Sequence, residues 1–161
     1  MKNVKAKNLT LGAMISALYI VLTIVSNSLG LSSGQFQIRL SEALCVLPVF
    51  TASAIPGLTI GCFLANLLIG APVPDLIFGS LATLIAAYLT YRARNKHFLP
   101  LVFPVVTNAA VIPLVLYYAY GVGPIFLSVL TVAAGEIISA GILGHLLRLA
   151  LEKADFRSHL S

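Results

Sequence analysis

Four charged side chains lie apart from the basic clusters of this 161-residue chain and are the first candidates for chemistry. They are Arg39, Glu42, Asp75 and Glu136. Three acids and one base give the group a net negative charge. Because carboxylates accept strong charge-assisted hydrogen bonds, a pocket built from these residues would suit a ligand that is cationic or rich in hydrogen-bond donors.

Glu136 is the strongest single candidate, because it lies far inside an apolar segment. It follows Pro124 by about twelve residues, which places it roughly 18 Å into a helix. An unpaired carboxylate at that depth in lipid costs several kcal/mol, so it must face a bundle interior, a cavity or a partner. Asn108 should lie at a comparable depth in the preceding helix, and Asn66 in the outer half of the third helix.

The same polar residues have a structural interpretation, as an interhelical network that only holds a helix bundle together. Arg39 would then pair with Glu42, three residues along on the same helix face, or with Asp75. Asp75 is also predicted to cap the fourth helix. The sequence leaves both interpretations open.

Sequence motifs for catalysis are missing. The chain has no GxxxxGK[ST], HExxH or GxSxG segment. Cys45 and Cys62 are too few for a disulfide framework and are predicted to be small core or lipid-facing residues. The histidines, at predicted helix ends or in the tail, are predicted to be interfacial. The sequence therefore predicts a protein that is not an enzyme, with no catalytic residue, no metal and no cofactor; the histidines are His97, His145 and His159.

The composition indicates that most of the chain is surrounded by lipid. Hydrophobic residues make up 59% of it and charged residues 9%, against about 25% charged in a typical soluble domain. A transmembrane helix needs about 20 apolar residues, so the longest uncharged runs can hold one or two each. The net charge of +5 is explained by membrane topology, and no nucleic acid is implied. The uncharged runs are residues 8–38, 43–74, 76–91 and 97–135.

Glycine and proline clusters divide these runs into helices. Pro56-Gly57 separates the second helix from the third, residues 70–74 separate the third from the fourth, and residues 121–124 separate the last two. The predicted fold is an all-α integral membrane protein, a single domain over residues 1–161. Its six transmembrane helices are expected at about 9–29, 38–53, 56–70, 75–94, 98–119 and 124–149.

Basic residues predict the orientation of this bundle, because short cytoplasmic loops are rich in Lys and Arg. Six spans put only Arg39 on the outer side, so both termini are predicted to be cytoplasmic. The first apolar stretch is longer than the 7 to 15 residues of a signal-peptide core and is predicted to be a retained helix. The residues on the inner side are Lys2, Lys5, Lys7, Arg92, Arg94, Lys96, Arg148, Lys153 and Arg157.

Small residues recur at four-residue spacing, which lets helices approach closely. Most such pairs, Gly57 and Gly61 among them, should pack the bundle internally. Ala13 and Ala17, near the cytoplasmic end of the first helix, could equally present a flat face to another membrane protein.

Longer segments carry a recognisable pattern. They are QIRLSEALCVLPVFTASAIPGLTIGCFLANLL (37–68), DLIFGSLATLIAAYLTYRARNK (75–96), Asn-Ala at 108–109 and Gly-Glu at 135–136. Over nearly the whole chain they resemble the queuosine-precursor transporter family QueT. Members of this family are S-components, the substrate-binding subunits of energy-coupling factor (ECF) vitamin transporters in bacteria.

The resemblance implies a protein of the bacterial cell membrane that captures a 7-deazaguanine outside the cell with high affinity, such as 7-cyano- or 7-aminomethyl-7-deazaguanine. Uptake would be driven by a coupling module, made of a transmembrane coupling subunit and two ATPases. S-components of this kind dock through an alanine-spaced motif, which Ala13 and Ala17 match. The first loop, Gly30 to Gln37, would act as a lid.

The resemblance and the charges together predict a binding mode. Glu136 and Asn108 would hydrogen-bond the guanine-like edge, while an outer acid would balance an aminomethyl ammonium if that is the ligand. The remaining substrate-binding candidates are Asn66, Asp75, Arg39 and Glu42.

Two other classes of function compete with this interpretation. The first is a self-sufficient, proton-coupled secondary transporter of a small heterocyclic nutrient, in which Glu136 would be the proton-coupling carboxylate. The second is a membrane enzyme, which the lack of any nucleophile or metal-ligand constellation disfavours.

Overall fold

The computed structural model describes residues 2–31 and 37–156, and every regular element in that part of the chain is helical. Apolar stretches between glycine- and proline-containing breaks form the helices, as the sequence predicts. In chain order they are α1 (Lys2–Ser28), a 3₁₀ helix (Leu40–Val49), α2 (Ala54–Leu68), α3 (Val73–Arg92), α4 (Leu99–Tyr120), α5 (Ile125–Glu136), a π-helical segment (Ile137–Leu143) and α6 (Gly144–Lys153).

Four of these stretches are long and apolar enough to cross a membrane. They are α1, α3, α4 and the continuous stretch of 29 residues that α5, the π-helical segment and α6 form together. The 3₁₀ helix and α2 are shorter apolar helices of 10 and 15 residues. Within the described residues, the predicted all-helical order of six segments is confirmed, and only four of the six have the length of a full span.

The second segment differs most from its prediction. A helix over 38–53 is expected from the sequence, but the structure has a 10-residue 3₁₀ helix. Its length is about 20 Å at roughly 2.0 Å per residue. Pro48 lies near the end of this helix and has no N–H to donate, but α4 stays α-helical around Pro104 and Pro113, so the proline alone does not account for the 3₁₀ geometry. The last predicted helix also differs, because it reaches Lys153 and changes to π geometry directly after Glu136.

The 3₁₀ helix lies at the centre of the bundle. Eight of its ten residues are buried. Two hydroxyls of α1 fix its first turn: Ser26 Oγ accepts a hydrogen bond from the Leu40 amide at 2.9 Å, and Thr23 Oγ1 donates to Ser41 Oγ at 2.8 Å. A cluster of buried side chains from α1, the 3₁₀ helix and α2 surrounds it, including Tyr19 and Leu58.

Large apolar side chains cover the outside of the helices. Ile60, Phe78, Val106 and Leu130 are each more than half exposed. A soluble protein rarely exposes apolar surface on this scale, whereas lipid tails solvate it at no cost. The structure therefore agrees with a multi-pass membrane protein.

The connections gather at two ends of the bundle. Phe50, Asn95 and Phe156 line one space, so the turn before α2, the loop after α3 and the end of α6 lie together; we call this the basic end. The opposite end, which we call the acidic end, brings together residues 37–39, 69–72 and 120–122. This grouping is the one that the six-segment topology predicts.

Small residues on α1 and α2 pack these helices against each other. A Cβ on Gly57 would lie 2.6 Å from the carbonyl oxygen of Gly12, and one on Gly61 would lie 2.9 Å from the Tyr19 Cβ. Gly57 and Gly61 thus pack the bundle internally, as predicted. Ala13 and Ala17 lie on another face of α1 and are exposed.

Some predictions fall on residues that the structure does not describe. Residues 32–36 lie outside the described part, so the predicted lid over Gly30 to Gln37 stays a prediction. Arg157 and His159 also lie outside it.

Candidate functional site

A buried pair of carboxylates bridged by one amide forms the centre of the candidate site. The Asn108 side-chain nitrogen on α4 donates to Glu136 Oε1 at 2.8 Å and lies 3.4 Å from Glu42 Oε2. All three side chains are buried, with 2% to 8% of their surface exposed. Asn108 therefore joins two acids that the sequence separates by more than ninety residues.

The 3₁₀ geometry explains how Glu42 is held. Side chains three residues apart stack in a 3₁₀ helix, which places Cys45 directly beside Glu42. The Cys45 thiol donates to Glu42 Oε2 at 3.1 Å, and the Tyr19 hydroxyl on α1 donates to Glu42 Oε1. Three donors from three elements thus fix the Glu42 carboxylate, counting Asn108.

Glu136 is held less completely. It is the last residue of α5, and the π-helical segment begins at the next residue. Such π-helical turns occur often at functional sites, where they reorient one side chain. Glu136 Oε2 is buried and has no hydrogen-bond partner in the described part of the chain. Within the described residues, this oxygen is an acceptor without a donor.

Gly135 allows the chain before the 3₁₀ helix to approach α5. A Cβ at this position would lie 1.9 Å from the Gln37 carbonyl oxygen, far closer than any real contact. Only glycine fits here, so the extended residues 37–39 lie directly against the turn that carries Glu136. This close approach explains why a glycine directly precedes Glu136.

A second polar group lies beside the first, towards the acidic end. Arg39 pairs with Asp75 at 3.7 Å, and the Tyr120 hydroxyl donates to Asp75 Oδ2 at 3.1 Å. The Asn66 side chain donates to the Asp75 backbone carbonyl at 3.4 Å. The backbone of Gly79, one turn after Asp75, lies close to both the Asn66 amide and the Asp75 carboxylate, and Gly79 also lines the cavity beside Glu42 and Glu136.

The predicted N-cap at Asp75 is wrong. Helix α3 begins at Val73 with Pro72 before it, and no side chain caps this end. Asp75 sits in the first turn of α3 instead, where its negative charge is still favourable near the helix N-terminus. Its carboxylate points to Arg39 and Tyr120, so of the two partners left open for Arg39 the structure selects Asp75.

Two spaces adjoin these groups. The inner cavity, lined by Glu42, Asn108 and Glu136, has a volume of about 10 Å³, which is room for about one water. The outer space at the acidic end has about 260 Å³ and is lined by Asp75 and Tyr120. Gln37 and Arg39 line both spaces and so form the wall between them. A heterocycle can reach the inner carboxylates only if this wall moves.

The structure brings all six predicted substrate-binding residues into these two adjoining groups. Sequence reasoning missed Tyr19, which holds Glu42, and the contact of Tyr120 with Asp75. Cys45 and Cys62 are buried, so of the two predicted placements the core is confirmed and the lipid-facing surface is wrong. The six residues are Arg39, Glu42, Asn66, Asp75, Asn108 and Glu136.

The atoms without partners show what the site can bind. Among the described residues, the buried side-chain atoms of the site that make no hydrogen bond are Asn66 Oδ1, Asp75 Oδ1 and Glu136 Oε2. All three are oxygens that accept hydrogen bonds. Leaving such atoms unpaired in a buried site is costly, so the arrangement suits a ligand that carries several N–H donors. In the same part of the chain no three His, Cys, Asp or Glu side chains are grouped as a metal site would need.

Comparison with known proteins points to transport. A family model described as QueT transporter matches residues 9–153. The chain is 36% identical over 85 residues to the Queuosine precursor transporter QueT of Lactococcus lactis subsp. cremoris (strain MG1363). This match covers 53% of the chain and spans about half the length of the relative, 50%. Family and relative are transporters and not enzymes. No solved structure matches the chain.

Proposed function

The chain belongs to the QueT transporter family, and we propose that it is the substrate-binding S-component of an ECF transporter for a queuosine precursor. The ligand would be a 7-deazaguanine such as 7-cyano- or 7-aminomethyl-7-deazaguanine, captured outside the cell for ATP-driven uptake by partner subunits. The similarity to a queuosine precursor transporter of Lactococcus lactis supports the substrate class. The buried acceptor oxygens of the site also support this substrate class, because a 7-deazaguanine carries several N–H donors.

The unpartnered Glu136 Oε2 is the observation that carries this proposal. The guanine-like edge of a 7-deazaguanine presents an N–H and an adjacent NH₂, and one carboxylate can accept from both. Glu136 would bind this edge, and Asn108 would turn from its bridging position to pair with the ring carbonyl. A site built to accept such donors rejects analogues that lack them by large factors.

Binding requires the site to open, because the inner cavity holds about one water whereas ligand pockets measure about 300 Å³ or more. The outer space of about 260 Å³ is the natural entry point on the acidic end. We expect the ligand to reach it first and then to displace the wall formed by Gln37 and Arg39. In this proposal the acidic end faces the outside of the cell and both termini are cytoplasmic.

Docking to the coupling module would use α1. Ala13 and Ala17 are exposed on a face that packs against no other helix in the described part of the chain, next to the exposed Met14 and Leu18. Small residues on a lipid-facing helix let a partner helix approach closely. Replacing both alanines by leucine should abolish co-purification with the coupling subunit and the two ATPases while ligand affinity stays unchanged. Unchanged co-purification would reject this docking face.

The proposed substrate is tested by mass spectrometry of the small molecules that co-purify with the protein in detergent. We expect a 7-deazaguanine, released on denaturation in up to equimolar amount. Titration calorimetry with the two precursors should then give saturable binding, with guanine as the control ligand. Recovery of a different heterocycle, together with no heat from either precursor, would reject the proposed substrate.

The bridged acid pair also favours a second candidate, a secondary transporter coupled to protons. Two buried carboxylates on one amide are a plausible proton carrier, and Glu136 would be the coupling residue. Reconstitution of the chain alone in proteoliposomes separates the two functions. Uptake driven by a pH gradient would support the carrier, and binding without uptake would support the S-component.

A further inference from the structure

The site holds more negative than positive charge, because it has three acids and one base. Among the described residues, Arg39 is the one basic residue of the site, and it pairs with Asp75 at 3.7 Å. Glu42 and Glu136 face each other across Asn108 and make no ion pair among the described residues. Arg39 lines the same cavity, but one positive charge cannot balance three carboxylates. Residues 32–36, which the structure does not describe, read SSGQF and carry no charge, so they cannot supply one.

The partners of these two acids are all neutral. Glu42 accepts from a phenol, a thiol and an amide, and Glu136 accepts from the same amide. Neutral donors orient a carboxylate but do not cancel its charge. In a site shielded from water, two like charges this close repel strongly. A positive charge placed between them would remove that repulsion.

The unpartnered oxygens point to the same ligand property. Glu136 is more than nine-tenths buried, lines the inner cavity, and has one oxygen without a donor. Asp75 Oδ1 is also buried without a donor at the neighbouring group. An ammonium group has three donors and a full positive charge, so it meets both needs at once.

We infer that the site selects a cationic 7-deazaguanine, one with a protonated amine on its 7-substituent, over neutral analogues with the same ring. The inference rests on the proposed function and narrows it to one of the two precursors. The ring edge would occupy Glu136, as proposed above, and the ammonium would offset the negative charge of Glu42. The nitrile of the 7-cyano compound can accept a hydrogen bond but cannot donate one. Because the unpartnered atoms of the site are also acceptors, the 7-cyano compound should bind more weakly.

The test compares three ligands that share one ring: 7-aminomethyl-, 7-cyano- and 7-ethyl-7-deazaguanine. The ethyl compound has nearly the shape of the aminomethyl compound but no charge, so it separates charge from size. Affinities are measured by titration calorimetry on the purified wild-type protein in detergent. We expect the aminomethyl compound to bind at least about tenfold more tightly than either neutral compound, because hydrogen bonds between charged groups are the strong ones.

Charge-removing variants then locate the source of the preference. Glu42→Gln and Glu136→Gln each remove one negative charge and keep the shape, so the preference for the aminomethyl compound should shrink in both. Glu152→Gln is the matched control, because it makes the same chemical change at the basic end. Its preference should equal that of the wild type. If a site variant does not fold, the comparison of the three ligands on the wild-type protein still tests whether the site prefers a cationic ligand.

Each outcome separates the inference from the function on which it rests. Equal affinity for the ethyl and aminomethyl compounds would overturn the inference and leave a 7-deazaguanine site in place. A preference that persists unchanged in both folded site variants would also overturn it, since the charge would then act from elsewhere. Binding of none of the three compounds would reject the proposed function and the inference with it.

Discussion

Two buried polar clusters lie at opposite ends of this bundle, and they differ in how well their groups are paired. At the basic end, Arg148 is 7% exposed and donates to Glu152 at 2.8 Å, to the His97 carbonyl at 2.6 Å and to the Lys96 carbonyl at 3.3 Å. In the inner cavity, which adjoins the acidic end, Glu136 is 8% exposed and has one oxygen without a hydrogen-bond partner among the described residues. Burial alone therefore does not distinguish a structural charge from a binding charge.

Pairing does distinguish them. The Arg148 contacts fasten the loop after α3 to α6, and an ion pair and two carbonyls cancel the cost of its burial. The acidic end instead retains negative charge and free acceptors, which lowers the stability of the empty protein. Binding sites commonly carry such a cost because the ligand later repays it. The comparison predicts that a substitution at the basic end lowers stability and leaves ligand affinity unchanged. A substitution of a site acid should instead lower ligand affinity without lowering stability.

The largest effect is expected from Glu136→Gln. The variant loses a charged acceptor for the ring edge, so affinity for the precursor should fall about 100-fold, the scale of a charged hydrogen bond. The melting temperature of the ligand-free protein should stay equal or rise, since one of two repelling charges is gone. Calorimetry and a thermal melt in detergent measure both. Wild-type affinity in this variant would show that Glu136 does not bind the ligand.

Gly135→Ala should come next. The added Cβ would overlap the Gln37 carbonyl oxygen at 1.9 Å, which must push residues 37–39 away from Glu136. We expect a loss of roughly 2 kcal/mol in stability, as for other overpacked sites, together with weaker binding. Gly141→Ala is the control, because its Cβ would meet only ordinary contacts at 3.9 Å and beyond. Equal behaviour of the two variants would contradict the close approach.

Arg148→Met tests the basic end of the comparison. It removes the ion pair and both carbonyl contacts but keeps the apolar stem, so stability should fall by about 1–2 kcal/mol. Glu152 is the better-solvated partner, 42% exposed, and is left at little cost. Ligand affinity should match the wild type in calorimetry. A loss of affinity equal to that of Glu136→Gln would mean that the two ends do not divide stability from binding.

Sequence reasoning found the acids of the site because charge is rare in this chain. Glu136 and Asn108 could be identified as site candidates because they lie deep in apolar helices. Glu42 could be identified only because it is one of the few charges apart from the basic clusters. The placement of Glu42 beside Glu136 could not be predicted, because it depends on a 3₁₀ helix where an α-helix was expected. Local pattern does not specify that geometry, which the packing of α1 around the segment stabilises.

The aromatic partners escaped prediction for a different reason. A tyrosine at a helix end has the same sequence signature whether it anchors the protein in the interface or donates to a buried acid. Tyr19 lies in the middle of α1, where nothing in the pattern marks its hydroxyl. Gly135 was noticed as a small residue paired with Ser139 and as part of a family motif, but its contact with Gln37 could not be predicted, because that contact joins distant parts of the chain.

The smallest expected effect is that of Tyr120→Phe, at the boundary between the two spaces. The variant removes the hydroxyl that donates to Asp75 at 3.1 Å, while Arg39 keeps its own contact with the same carboxylate. One hydrogen bond of several should change precursor affinity only about threefold. Because Tyr120 lines the outer space and not the inner cavity, the association rate should change more than the dissociation rate. Stopped-flow binding on both proteins measures this, and Tyr118→Phe, on a 79% exposed side chain, is the control. A loss of affinity as large as that of Glu136→Gln would move the ligand from the inner carboxylates to the outer group.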